Sequence, residues 1–99
     1  MIYQIRFTEP AKNDLREITT YLRRNAGDPV ARRLSEELIA KAESLRTRPM
    51  RQRERSEFGL GLRAVTVRDY MIVYHIGGDT VSILRILHGS RDITEKMFR

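Results

Sequence analysis

Arg63, Arg85 and His88 are the side chains whose types and settings suit chemistry, and each stands in or at the end of an apolar run. Arg63 lies one residue into L-R-A-V-T-V, after G-L-G-L, on the side shared with Val65 and Val67. A planar guanidinium fixed on a strand offers two parallel donors, which clamp a phosphate or carboxylate; the bland alternative is an edge Arg whose stem lies on the sheet. Arg85 interrupts V-S-I-L-R-I-L-H, where a charge needs a partner. It either meets a ligand on an open face or pairs with an acid such as Glu17. His88 ends that run just before Gly89-Ser90-Arg91-Asp92. An exposed, rigidly held imidazole there suits a general acid or base near neutral pH, and suits equally a strand cap bonded to Asp92.

Other chemistries find less support. The chain has no Cys and two isolated His, His75 and His88, so neither a disulfide framework nor a zinc site is expected, and no metal or cofactor is implied. No Ser stands in a nucleophile elbow. G-L-G-L-R is not the dinucleotide fingerprint and precedes a strand rather than a helix. Tyr70 and Tyr74 alternate with Ile72 and Ile76 on one strand face, which marks them as core.

The elements that position these residues follow from periodicity. Residues 61–92 hold three runs rich in Val, Ile and Tyr, broken at Arg68-Asp69 and at Gly77-Gly78-Asp79, and predict three antiparallel strands joined by tight hairpins. Such a meander needs a cover. Residues 1–7 alternate toward one more strand, with Tyr3, Ile5 and Phe7 facing inward. Thr8 as cap and Pro10 in the first turn open a helix whose stripe is Ala11, Leu15, Ile18 and Leu22. Past Gly27, Asp28 as cap and Pro29 restart a second helix with the stripe Val30, Leu34, Leu38, Ala42 and Leu45. So short a joint makes the two helices antiparallel, and the hairpin covers one sheet face. The expected fold is a single α+β domain over residues 1–99: N-terminal strand, helix hairpin, then a three-stranded meander, with the opposite face partly open. Residues 47–61 are an aperiodic loop, long for so small a domain and therefore of functional interest, and the tail from Asp92 is short and polar.

Charge adds a further constraint. Of a net +6, residues 46–68 hold seven Arg against two Glu, so the excess sits in one segment that includes Arg53 and Arg55. A concentrated positive field favours an anionic partner, nucleic acid or acidic protein, against the alternative of a solvated loop. No apolar run approaches the ~18 residues of a membrane span, and Met1-Ile2-Tyr3 runs straight into a strand pattern. The expected compartment is the cytoplasm, with no membrane partner.

The order of elements, the G-L-R entry to the meander, Tyr74 within Y-M-I-V-Y-H-I and above all I-L-R-I-L-H-G-S-R-D-I resemble the RelE/ParE superfamily of toxins from bacterial toxin-antitoxin modules. The Ile86-Leu87-His88 through Asp92 ending is most similar to the ParE, or plasmid stabilisation, branch. The resemblance implies a toxin neutralised by a cognate antitoxin, and for this branch a non-enzymatic inhibitor of DNA gyrase. The alternative it implies is a RelE-like endonuclease that cuts mRNA on the ribosome, for which Arg63, Arg85 and His88 are the candidate catalytic residues. The tail reads Thr94-Glu95-Lys96-Met97-Phe98 without the Tyr usual in those nucleases, which favours the gyrase branch. The antitoxin is expected to present an acidic amphipathic segment to the open sheet face and helix hairpin. Its expected contacts, or those of the target, are Val65 and Val67 for apolar groups and Arg63, Arg53, Arg55, His88 and Arg91 for anionic ones.

Overall fold

Tyr3, Ile5 and Phe7 alternate with exposed Gln4 and Arg6, and the run forms strand β1, Gln4–Phe7. The computed structural model describes residues 1–89 and 95–98. At the end of β1 the Thr8 hydroxyl accepts from the Ala11 amide at 3.3 Å and donates to the Ile83 carbonyl at 2.9 Å. One side chain thus caps helix α1, Glu9–Ala26, and moors its first turn to a strand far along the chain. Ala11, Leu15, Ile18 and Leu22 pack toward the core as the spacing predicts.

Gly27 alone joins α1 to α2, Asp28–Glu43, at a φ of 93° that a side chain would strain. Two expectations are corrected at this joint. Asp28 is already helical and caps nothing; its carboxylate pairs with Arg23 at 3.0 Å instead. Val30 is 43% exposed and the next residue, Ala31, is buried in its place, so the buried stripe of α2 runs Ala31, Leu34, Leu38 and Ala42.

The four strands lie in the order β1-β4-β3-β2, with β2 at Leu62–Val67, β3 at Tyr70–Gly77 and β4 at Thr80–His88. The meander is antiparallel, whereas β1 runs parallel to β4, placing Gln4 opposite Thr80 and Phe7 opposite Ile83. In β4 the register slips: Tyr74 faces Ile83 and Val73 faces Arg85, leaving Leu84 as a bulge. Leu34, Leu38, Ala42 and Leu45 of the helical layer bury one sheet face against Val65, Ile72, Tyr74, Val81, Ile83 and Ile86.

The face expected to be open is not bare. Phe58, Leu62 and Val73 are buried there, with Met71, Leu84 and Phe98 packed around them. The chain brings its own cover, since Phe58 comes from the 47–61 segment and Phe98 from a 3-10 turn at Glu95–Phe98, their rings 5.7 Å apart. The 47–61 segment is irregular as predicted, with a 3-10 turn at Pro49–Arg51 and a lone bridge from Glu54 to Arg63 on the outer edge of β2. No helix among the described residues is long and apolar enough to cross a membrane.

Candidate functional site

Arg63 shares its strand face with Val65 and Val67, as alternation requires, but that face is the one under the helices. Val65 is 5% exposed within the core and so is closed to a partner, while Val67 packs against that core partly buried. Arg63 lies just past the end of the helical cover, where the 47–61 segment takes over. Its side chain is 17% exposed and its guanidinium donates to the Gln52 and Met50 carbonyls and faces Glu54 at 3.6 Å. The expected anion clamp is thus committed to holding a loop. Beside it Tyr74, fully buried, donates its hydroxyl to the Pro49 carbonyl at 2.5 Å. Burial pushes that hydroxyl up to about 12, with the Arg63 charge pulling weakly the other way. Together the two side chains pin the loop over the edge of the core.

Arg85 makes a structural ion pair, but with Asp14 rather than Glu17. Its Nε and Nη2 donate to the two Asp14 oxygens at 2.7 and 2.9 Å, and the Ile86 amide donates to the same carboxylate at 2.9 Å. The bulge explains the geometry: beyond Ile83, β4 has no strand on its β1 side, and Asp14 supplies the acceptor a neighbouring strand would have given. This hydrogen bonding raises the Arg85 pKa further. A remaining donor, Nη1, reaches the Met97 carbonyl at 3.4 Å and so touches the C-terminal turn. Asp14 was legible in principle, because at Ala11 plus three it falls on the apolar stripe of α1, where an unpaired acid cannot rest.

His88 is exposed at the end of β4, its ring edge-on to Tyr70 at 5.2 Å. Burial, Asp69 and Tyr21 raise the Tyr70 pKa. The two rings close one end of a cleft of about 580 Å³ between α1 and the sheet, floored by Ile18, Leu22 and Leu34, with Tyr21 on its rim. At the same end Arg68, in the β2–β3 turn with φ 53°, forks onto Glu37 of α2 at 2.6 and 2.9 Å, a pair that sequence reasoning missed. The Asp92 partner proposed for His88, and Arg91, lie outside the described residues.

Arg63, Arg85 and His88 therefore do not converge. His88 faces Tyr70 and Tyr70 faces Val67, four residues along β2 from Arg63. At ~3.4 Å per residue and ~4.8 Å per strand, the two backbones are roughly 17 Å apart. Arg63 points outward to its loop, away from His88. Of the other expected contact residues, Arg53 is exposed and donates at 3.3 Å to the Glu54 carbonyl. Arg55 is held by Glu57 at 2.9 Å and lies 4.5 Å over the Phe58 ring. Among the described residues no group of three His, Cys, Asp or Glu could hold a metal ion.

Comparison with known proteins agrees with this architecture. The family model described as the ParE toxin of the type II toxin-antitoxin system, parDE, matches residues 5–93. Toxin ParE3 of Caulobacter vibrioides is 29% identical over 90 residues, which span 91% of this chain and 90% of that protein. The solved chromosomal ParDE system from P. aeruginosa superposes with a TM-score of 0.79 at 19% identity, over 88% of this chain and 96% of the other. The toxin-antitoxin complex RelBE2 from Mycobacterium tuberculosis gives 0.69 at 24% identity, over 89% and 99%. At those identities the two structures speak for the fold alone.

Proposed function

The chain belongs to the ParE toxin family of type II toxin-antitoxin systems, and from that premise we propose that it acts in the cytoplasm as an inhibitor of DNA gyrase that performs no catalysis of its own and is neutralised by a cognate antitoxin. The observation that carries this is the fate of the two strand arginines. A ribonuclease of the related kind needs free cations for the phosphorane beside a proton-transfer group. Here Arg63 holds loop carbonyls and Glu54, Arg85 holds Asp14, and His88 stands at the far corner of the sheet. Inhibition by binding asks for none of these groups. Purified protein is expected to reduce supercoiling by gyrase and to trap cleaved DNA; supercoiling that proceeds unchanged, with message cut on programmed ribosomes instead, overturns the proposal.

For the antitoxin, the cleft beside α1 suits an amphipathic segment better than the face opposite the helices, which Phe58 and Phe98 already cover. Its apolar stripe would lie on Ile18 and Leu22, with Tyr21, 62% exposed, as an aromatic anchor. His88 at the end of the cleft and Arg53 on the loop are exposed. Tyr21→Ala is expected to weaken antitoxin binding by ~10-fold or more in calorimetry, as anchors of this kind do; unchanged affinity moves the antitoxin elsewhere.

A further inference from the structure

Most arginines of the 46–68 segment are neutralised within the molecule: Arg46 by Glu43, Arg55 by Glu57, Arg63 by Glu54 and Arg68 by Glu37. Arg53 spends a donor on the Glu54 carbonyl alone, and among the described residues Arg48 and Arg51 meet no group at all. Both are exposed, and among the described residues no hydrogen bond or ion pair engages either side chain. Together with Lys41 from the end of α2 they line a cleft of about 330 Å³ whose lining includes no acid. The Glu43 and Glu54 carboxylates nearby in sequence are already taken.

Backbone geometry holds these like charges together. Arg48 sits in the left-handed region at φ 54°, and its carbonyl accepts from the Arg51 amide at 3.1 Å, closing the turn that sets both residues on one mouth. Lys41 in the last turn of α2 suits the negative helix end, but that accounts for Lys41 alone. Thr47 and Gln52 add neutral donors to the rim. Leu45 and Val65, the apolar members of the lining, are each only 5% exposed. An acidic peptide would therefore find charge but almost nothing on which to bury apolar side chains. A phosphodiester backbone needs no such floor, and no aromatic lines the cleft for bases to stack on.

We propose that Lys41, Arg48 and Arg51 form a phosphate site for the backbone of duplex nucleic acid, read without regard to sequence and separate from the antitoxin cleft. The test is fluorescence anisotropy of a short labelled DNA duplex of mixed sequence across a salt series, with an RNA duplex as a parallel probe and inorganic tripolyphosphate as competitor. Each phosphate contact adds about 0.9 to the slope of log K against log salt, so Lys41→Gln/Arg48→Gln/Arg51→Gln is expected to flatten that slope by about 2 to 3. Arg32→Gln/Arg33→Gln, on the exposed face of α2, is expected to change it by less than about 1. Circular dichroism confirms that both variants are folded. Equal slopes for the two variants overturn the site, and tripolyphosphate competing as well as duplex overturns the nucleic-acid assignment. So does a triple variant that loses antitoxin while keeping DNA. Preference for DNA or RNA identifies which backbone the site takes. Gyrase inhibition is not the readout, so the toxin proposal stands or falls independently.

Discussion

Replacing Asp14 by Ala removes one carboxylate and strands three donors, two on Arg85 and the Ile86 amide. The Asp14 side chain is 9% exposed and that of Arg85 20%, so the pair is largely out of water. Breaking such a pair from one side costs about 3–5 kcal/mol, because the surviving charge is left without its counterion. Arg85 keeps a fifth of its surface exposed and a carbonyl at 3.4 Å, which places the cost near the lower end. The Ile86 amide, bonded to Asp14 at 2.9 Å, adds about 1 kcal/mol when left unsatisfied. The expected loss is about 4 kcal/mol, a large share of the stability of ~5–15 kcal/mol usual for a domain. At about 4–8 °C per kcal/mol the melting temperature should fall by roughly 15–30 °C. Urea unfolding followed by circular dichroism measures it, and Asp14→Ala/Arg85→Met supplies the decisive comparison. With both charges gone no orphan remains, so the double variant should be more stable than Asp14→Ala alone. A cost below about 1 kcal/mol for Asp14→Ala, or a double variant whose losses simply add, refutes the assignment of Asp14 as the acceptor that finishes β4.

Three further outcomes follow from the same geometry. Tyr74→Phe loses the 2.5 Å bond to the Pro49 carbonyl and should lower stability by about 1–2 kcal/mol in urea titration. Because folding raises the Tyr74 hydroxyl to about 12 from about 10 in the unfolded chain, its contribution is whole below pH ~10 and is lost as pH climbs toward ~12. The wild-type midpoint should therefore drop more than that of Tyr74→Phe between pH ~9 and ~11, and parallel curves would reject the burial argument. Arg63→Lys keeps the charge but not the two-nitrogen fork whose Nη1 donates to the Gln52 and Met50 carbonyls while Nη2 faces Glu54, so trypsin should cut the 47–61 segment faster than in wild type; an equal rate would show the loop held by something else. Glu37→Gln breaks the hydrogen-bonded pair with Arg68 that lowers the Glu37 pKa, yet both partners are solvated, so the urea midpoint should stay where it is; a clear shift would mean the pair is shielded from water.

The elements were legible because each has a local signature. Thr8 and Pro10 announce α1, the apolar spacings draw both helical stripes, and the runs on either side of Arg68-Asp69 and Gly78-Asp79 define a meander. What escaped depends on residues far apart in the chain. The parallel pairing of β1 with β4 has no local signal, and neither has the cover that Phe58 and Phe98 lay over the second face. Arg63 was placed on the correct side of its strand, but alternation cannot say which side the helices take. Arg85 was recognised as needing an acid; Glu17 was chosen where Asp14, one turn earlier and on the buried stripe, is the partner. What was missing was a contact between segments that are separate in sequence, from about forty residues for Phe58 and Phe98 to about seventy for Asp14 and Arg85.

The parallel seam between β1 and β4 also sets an order of events during translation. β1 is translated well before β4, its strand neighbour among the described residues, emerges from the exit tunnel. Until then the nascent polypeptide can wind its two helices, whose contacts are local, but cannot complete the sheet beneath them. The sheet of this domain therefore stays unfinished until β4 comes free, and a partner that recognises the completed fold can bind only after that point.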